Sequence, residues 1–187
     1  MVFPMSKKIS LLVLMLALGS PLLRAEELTI AVASNFTRAM DALITDFEAG
    51  SGHKVSVSYG SSGRLYAQIL NGAPFELFFS ADQAKPEALE QAGHSIPDTR
   101  FTYATGGLVL WSATPGIALT QGERLRTQAI SRLAIANPRL APYGIAAMQV
   151  LQALGLGEEY SNKLVMGENI NQAFQFVNTG NAQVGFV

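Results

Sequence analysis

The feature that most constrains this chain is an alternation in the period of its apolar residues. Compact or two-residue patterns give way, again and again, to patterns spaced at three and four. Leu28, Ile30 and Val32 lie in a compact apolar run that predicts a buried first strand. Phe36, Ala39, Met40, Leu43, Ile44 and Phe47 then fall at offsets 0, 3, 4, 7, 8 and 11. That spacing is one face of an amphipathic helix, with Gly50 or Gly52 placed to stop it. Val55, Val57 and Tyr59 alternate as a second strand, which Gly60-Ser61-Ser62-Gly63 interrupts. Leu65, Ile69 and Leu70 restart a helix that should end at Gly72. A third strand is expected over 75–79 and a helix over 85–92. In the second half, 108–111, 133–136 and 184–187 read as strands, and 142–154 and 169–178 as helices. Strand and helix alternating in this way predict an α/β fold with parallel-rich sheets. Glu158-Glu159 reads as a solvated helix start, and 114–128 as an exposed loop.

The first 25 residues follow a different plan. A short basic stretch with Lys7 and Lys8 precedes an apolar run at 9–18, then Gly19, Ser20 and Pro21, with Ala25 as a small residue for cleavage. This is the layout of a secretory signal peptide. The run falls short of the roughly 20 apolar residues a bilayer-spanning helix needs. Without Lys7, Lys8 and Arg24, ten basic residues face fourteen acidic ones, a formal charge of −4. Nucleic-acid binding, which rests on clustered Lys and Arg, is therefore not expected. With no cysteine there is no disulfide, no thiolate metal site and no lipid attachment point. His53 and His94, 41 residues apart, match no zinc spacing. At its other end the chain stops inside an apolar strand at Gly185-Phe186-Val187, and it reads as a piece of a longer sequence.

Four strand-to-helix junctions carry small or polar residues where helices should begin. They are Ser34-Asn35, Ser61-Ser62-Gly63, Pro142-Tyr143-Gly144 and Glu168-Asn169. The first amides of a helix lack intrahelical acceptors, and the helix dipole adds about half a positive charge there. Hydroxyl and amide side chains add neutral donors. If the junctions converge, they form an anion site without formal charge. Taken singly, each is equally an ordinary N-cap. In open α/β sheets, however, ligands bind outside the carboxyl ends of strands, where all four lie.

Motifs for catalysis are weak. Gly60-Ser61-Ser62-Gly63-Arg64 approaches a nucleophile elbow but lacks the second glycine at its required place. A secreted hydrolase using Ser62 would need His53 or His94 as its base, and both read as exposed turn residues. No phosphate-binding G-x-x-x-x-G-K-[ST] run is present. Asp82 reads as a cap of the following helix, Arg64 as a surface residue, and Tyr103 and Trp111 as core or interdomain packing.

Several separated runs share one likeness. Ala33-Ser34-Asn35-Phe36, Gly60-Ser61-Ser62-Gly63, QILNGAP at 68–74 and FFSAD at 78–82 resemble periplasmic molybdate-binding proteins of the ModA type. The likeness continues through 108–111, ANPRLAPYG at 136–144, 167–173 and 184–187, and so spans nearly all of 27–187. The resemblance implies a non-enzymatic solute-binding protein of the type II periplasmic-binding-protein fold, with helices on both faces of its sheets. Its two lobes would be 26–103, lacking its C-terminal part here, and 104–187, incomplete at its C-terminal end. It also implies molybdate or tungstate bound between the lobes by Asn35 and Ser62 with Ser34 and Ser61 beside them, and by Tyr143 and Ile170 through their backbone amides. Sulfate or another tetrahedral oxyanion is the nearest alternative. The metal would enter only as an oxyanion, with no cofactor and no direct cation ligand. A monomer delivering the anion to an inner-membrane ABC transporter permease from the periplasm completes the expectation. Many relatives have serine where Asn35 stands, and many use a further tyrosine beyond the equivalent of Val187.

Overall fold

The computed structural model describes residues 26–117, 125–126 and 129–187. The expected leader over 1–25 lies outside these residues, as do 118–124 and 127–128 of the expected loop. Two separate sheets organise the rest. The first has strands β1 (Glu27–Ala33), β2 (Lys54–Gly60) and β3 (Leu77–Phe79) in the order β2-β1-β3, all parallel. Between them lie α1 (Thr37–Ser51), entered through a 3-10 turn at Ser34–Phe36, and α2 (Ser62–Leu70). Helix α3 (Ala84–Gln91) follows β3.

The second sheet has the order β4-β7-β5-β6, from β4 (Leu110–Trp111), β5 (Leu133–Ala136), β6 (Leu164–Gly167) and β7 (Val184–Phe186). Its helices are α4 (Pro142–Ala153), the short α5 (Gly157–Tyr160) and α6 (Ile170–Asn178). Pairings β5–β6 and β5–β7 are parallel, whereas β4 runs antiparallel to β7. Strand β5 is buried on both faces, as a central parallel strand should be. Leu133 and Ile135 pack with Ala147 and Leu151 of α4, and Ala134 packs with Ala173 and Val177 of α6. Helices therefore cover both sides. In the first sheet, Ile30 and Val32 of β1 pack with Met40 of α1.

The periodicity reading locates most of these elements. The helix after β1 stops at Gly52, which takes the left-handed conformation at φ 73° that an L side chain avoids. Three differences have physical causes. Strand β3 begins at Leu77 because Glu76 is spent on Thr29: its N–H donates to the Thr29 carbonyl, and its carboxylate accepts from the Thr29 N–H at 2.8 Å. Strand β6 went unrecognised because four residues at a sheet edge, with Met166 exposed, carry no period. On α1, Leu43 and Phe47 remain 53% and 45% exposed, since a three-stranded sheet is too narrow to cover the whole apolar face.

Burial separates two classes of leucine. Leu151 is fully buried in the second core, so Leu151→Ala should cost about 2–5 kcal/mol of stability. Leu43→Ala should cost well under about 1 kcal/mol by comparison. Urea midpoints of the two variants check the contrast.

Candidate functional site

Parallel pairing fixes where the chain can present polar groups. Ala33 of β1 is in register with Gly60 of β2, and Val32 with Phe79 of β3. The residues that follow, Ser34, Ser61 and Ser80, therefore emerge side by side at one edge of the sheet. Among the described residues, the buried polar or charged ones are Ser34, Ser61, Ser62 and Ser80. An α/β unit that hides its serines at strand ends and nowhere else has placed them for a ligand or for each other.

The second sheet mirrors this arrangement. Ala136 is in register with Gly167, and both strands lead into helix starts, α4 after Ala141 and α6 after Asn169. The two sheet edges face one another across a narrow cavity. Ala33, Ser34, Asn35, Gly60, Ser61, Ser62 and Ala81 line it from one side; Ala141, Pro142, Tyr143, Asn169 and Ile170 line it from the other. All six residues singled out from the sequence, Ser34, Asn35, Ser61, Ser62, Tyr143 and Ile170, belong to this lining. None of the lining residues is charged. The open space is comparable to one water molecule. Its narrowness follows from Asn35, whose Nδ2 donates to the Tyr143 hydroxyl across it at 3.4 Å. A neighbouring groove of about 280 Å³ shares Asn35, Tyr143 and Ile170.

The state of the helix caps decides between an ordinary reading and a functional one. If these junctions were simply N-caps, their side chains would accept from the helix amides. Only α6 does this, through Asn169, whose Oδ1 accepts from the Gln172 N–H at 3.1 Å. The turn at Ser34, helix α2 at Ser61 and helix α4 at Ala141 have no side-chain cap. Ser61, a residue type well suited to capping, leaves its buried Oγ without a partner. Ser62 is oriented differently. Its Oγ accepts the Ala81 N–H at 2.9 Å, which leaves the hydroxyl proton free to donate elsewhere. Ala81 was not among the residues expected at the site, and the FFSAD run at the end of β3 was the signal for it.

Contacts between the two sides hold the cavity shut. The Gly63 N–H donates to the Leu140 carbonyl at 2.8 Å. A Cβ on Gly63 would stand 2.6 Å from that oxygen, so only glycine permits the approach. Asn171 Nδ2 donates to Thr37 Oγ1 at 3.4 Å. Gly106 lies against the Tyr143 hydroxyl, which a side chain at that position would displace.

Other expectations resolve individually. Asp82 caps α3, accepting the Lys85 N–H at 3.2 Å and pairing with Lys85 Nζ at 2.6 Å. Tyr103 packs edge-on against Phe36 and Phe79 and donates to the Ser80 carbonyl, and burial raises its phenol pKa. Trp111 stacks on Phe174. His94 is exposed as expected, but His53 is half-buried, its Nδ1 accepting from the Glu26 N–H at 3.1 Å. His53 precedes β2 while Ser62 follows it, and at about 3.3 Å per residue the strand holds them roughly 20 Å or more apart. A serine–histidine pair is therefore not formed there. Arg64 lies on the surface as expected, its side chain 55% exposed, and its Nη1 pairs with Glu168 Oε1 across the cleft at 2.6 Å.

Two α/β lobes that meet over a cleft of helix N-termini define a binding protein of the type II periplasmic class. The chain belongs to the bacterial extracellular solute-binding protein family, whose sequence pattern matches residues 28–187. It is 53% identical over 178 residues to the molybdate-binding protein ModA of Azotobacter vinelandii, covering 93% of this chain and 71% of that one. The ModA of Rhodobacter capsulatus is 44% identical over 186 residues, covering 99% and 73%. The solved periplasmic molybdate-binding protein of Azotobacter vinelandii superposes with a TM-score of 0.82 at 44% identity, over 86% of this chain and 70% of that one. These relatives are binding proteins and not enzymes.

Closure at Gly63 is open to test. Gly63→Ala should push Leu140 away and shift the ligand-free protein toward an open form. Small-angle scattering should then show a larger radius of gyration than for the unmodified protein.

Proposed function

We propose that this protein captures a tetrahedral oxyanion, molybdate or tungstate, between its two lobes and delivers it to an ABC transporter permease in the inner membrane. The observation that carries this reading is the set of uncapped helix starts around one cavity that holds no charged side chain. Free amides at helix N-termini are an anion site by construction. A buried dianion is tolerated only when its oxygens are hydrogen-bonded, which calls for donors from both lobes.

The donors divide evenly. Asn35 and Ser62, with Ser34 and Ser61 beside them, serve from the lobe formed by residues 26–103. The backbone amides of Tyr143 and Ile170 serve from the lobe formed by 104–187. A boundary near 103 is supported by Tyr103 packing on the first lobe while Gly106 already abuts Tyr143 of the second. The orphan Ser61 hydroxyl and the free proton of Ser62 gain acceptors from the anion. Because the closed cavity is narrower than a tetrahedral anion, the Asn35–Tyr143 contact lengthens to admit it. Binding is thus linked to hinge closure: the anion meets the first lobe, and the second closes over it. The protein works as a monomer in the periplasm, exported by its N-terminal leader, with no cofactor and no nucleic-acid partner. The identity with two molybdate-binding proteins supports the choice of ligand.

Calorimetry with molybdate, tungstate, sulfate and phosphate tests the reading. Heat with the first two at micromolar protein is expected. Heat with sulfate alone would overturn the choice of ligand. Ser62→Ala removes a donor that the anion needs while leaving the amides in place, so molybdate affinity should fall by about tenfold, equivalent to ~1.4 kcal/mol.

A further inference from the structure

Two carboxylates stand next to the cavity lining, and each is paired with a cation. Asp82 follows Ala81 and is held by Lys85 within its own lobe at 2.6 Å. Glu168 precedes Asn169 and Ile170 at the start of α6, and its cation comes from the other lobe, Arg64 of α2. The two residues are 104 positions apart in the chain. Arg64 lies one turn into the helix whose start carries Ser61 and Ser62, so the pair bridges two of the proposed anion-binding helix ends. The Arg64 guanidinium pKa is raised by its hydrogen bond to Glu168.

We propose that Arg64 is a positioning residue for the anion site: it neutralises the Glu168 carboxylate beside the α6 N-terminus, so that a cavity of neutral donors can hold a dianion. This inference rests on the oxyanion reading above. A helix N-terminus attracts an anion through about half a unit of positive charge. A negative charge two residues from Ile170 opposes that attraction. Because the cation belongs to the opposite lobe, neutralisation is complete only when the lobes are closed, the state in which the anion is sequestered. A latch would act differently. With side chains 55% and 39% exposed, the pair contributes little as a mechanical tie. Its effect on the anion is a field effect, and salt screens that.

A charge cycle separates these roles. Molybdate affinity is measured by calorimetry at low and high ionic strength for the full chain and for Arg64→Met, Glu168→Gln and the double variant. Arg64→Met keeps the aliphatic stem and exposes the carboxylate, so affinity should fall about tenfold at low salt, with the deficit shrinking at high salt. Glu168→Gln should bind as tightly as the unmodified protein or tighter. The double variant should return to within about threefold of the original. Melting temperatures without ligand should be unchanged in all four, because exposed ion pairs add little stability. Equal weakening in both single variants, with the double variant no better, would mean a latch and overturn the proposal. Unchanged affinity in all variants would overturn it as well. Failure of the unmodified protein to bind any oxyanion would instead remove the functional reading on which it stands.

Discussion

Every helix begins with amides that its own carbonyls cannot reach, and in a protein interior each of these needs an acceptor from somewhere. Most proteins supply it from a capping side chain. Here the 3-10 turn at Ser34, helix α2 at Ser61 and helix α4 at Ala141 have none, and all three open on the same narrow space. These three starts bring uncapped helix amides to one space whose lining carries no formal charge. On the function proposed above, such an array attracts a small anion through oriented dipoles and selects it by geometry instead of countercharge. An anion that carries a proton finds no acceptor for it among the lining side chains aside from hydroxyls and amides.

That concentration depends on sheet topology. Parallel strands end together, so β1, β2 and β3 deliver Ser34, Ser61 and Ser80 to one edge. Strands β5 and β6 do the same for the starts of α4 and α6. One sheet alone would offer half a shell. The second is needed to surround an anion, and the polypeptide must therefore be able to bring two separately packed cores face to face. The contacts that do so include one backbone bond, Gly63 to Leu140, and three side-chain pairs, Asn35 to Tyr143, Asn171 to Thr37 and Arg64 to Glu168. The hinge closure proposed above requires these contacts to open and re-form while the cores behind them stay fixed.

Sequence pattern revealed much of this and missed a definite part. The strand β1 and helix α1 were legible because a compact run, a long helical period and a glycine stop agree with one another. The polar junctions were legible because serine, asparagine and glycine interrupt apolar pattern at the right places. Two things were not. The antiparallel direction of β4 is set by its partner β7, and β6, at a sheet edge with Met166 exposed, lacks the four-residue apolar run that marks β5. The cross-cleft pairs, Arg64 with Glu168 and Gly63 with Leu140, join positions far apart in the chain with no shared period. Nor could spacing tell that Ser61 stays uncapped while Asn169 caps; that distinction is made by side-chain direction alone.

The most direct test is where molybdenum sits in a crystal of the protein grown with molybdate. Anomalous diffraction at the molybdenum edge should give a single strong peak between the lobes, within hydrogen-bonding reach, through its oxygens, of Asn35, Ser62 and the amides of Tyr143 and Ile170. A peak on the outer surface, or one held by donors of a single lobe, would contradict the account.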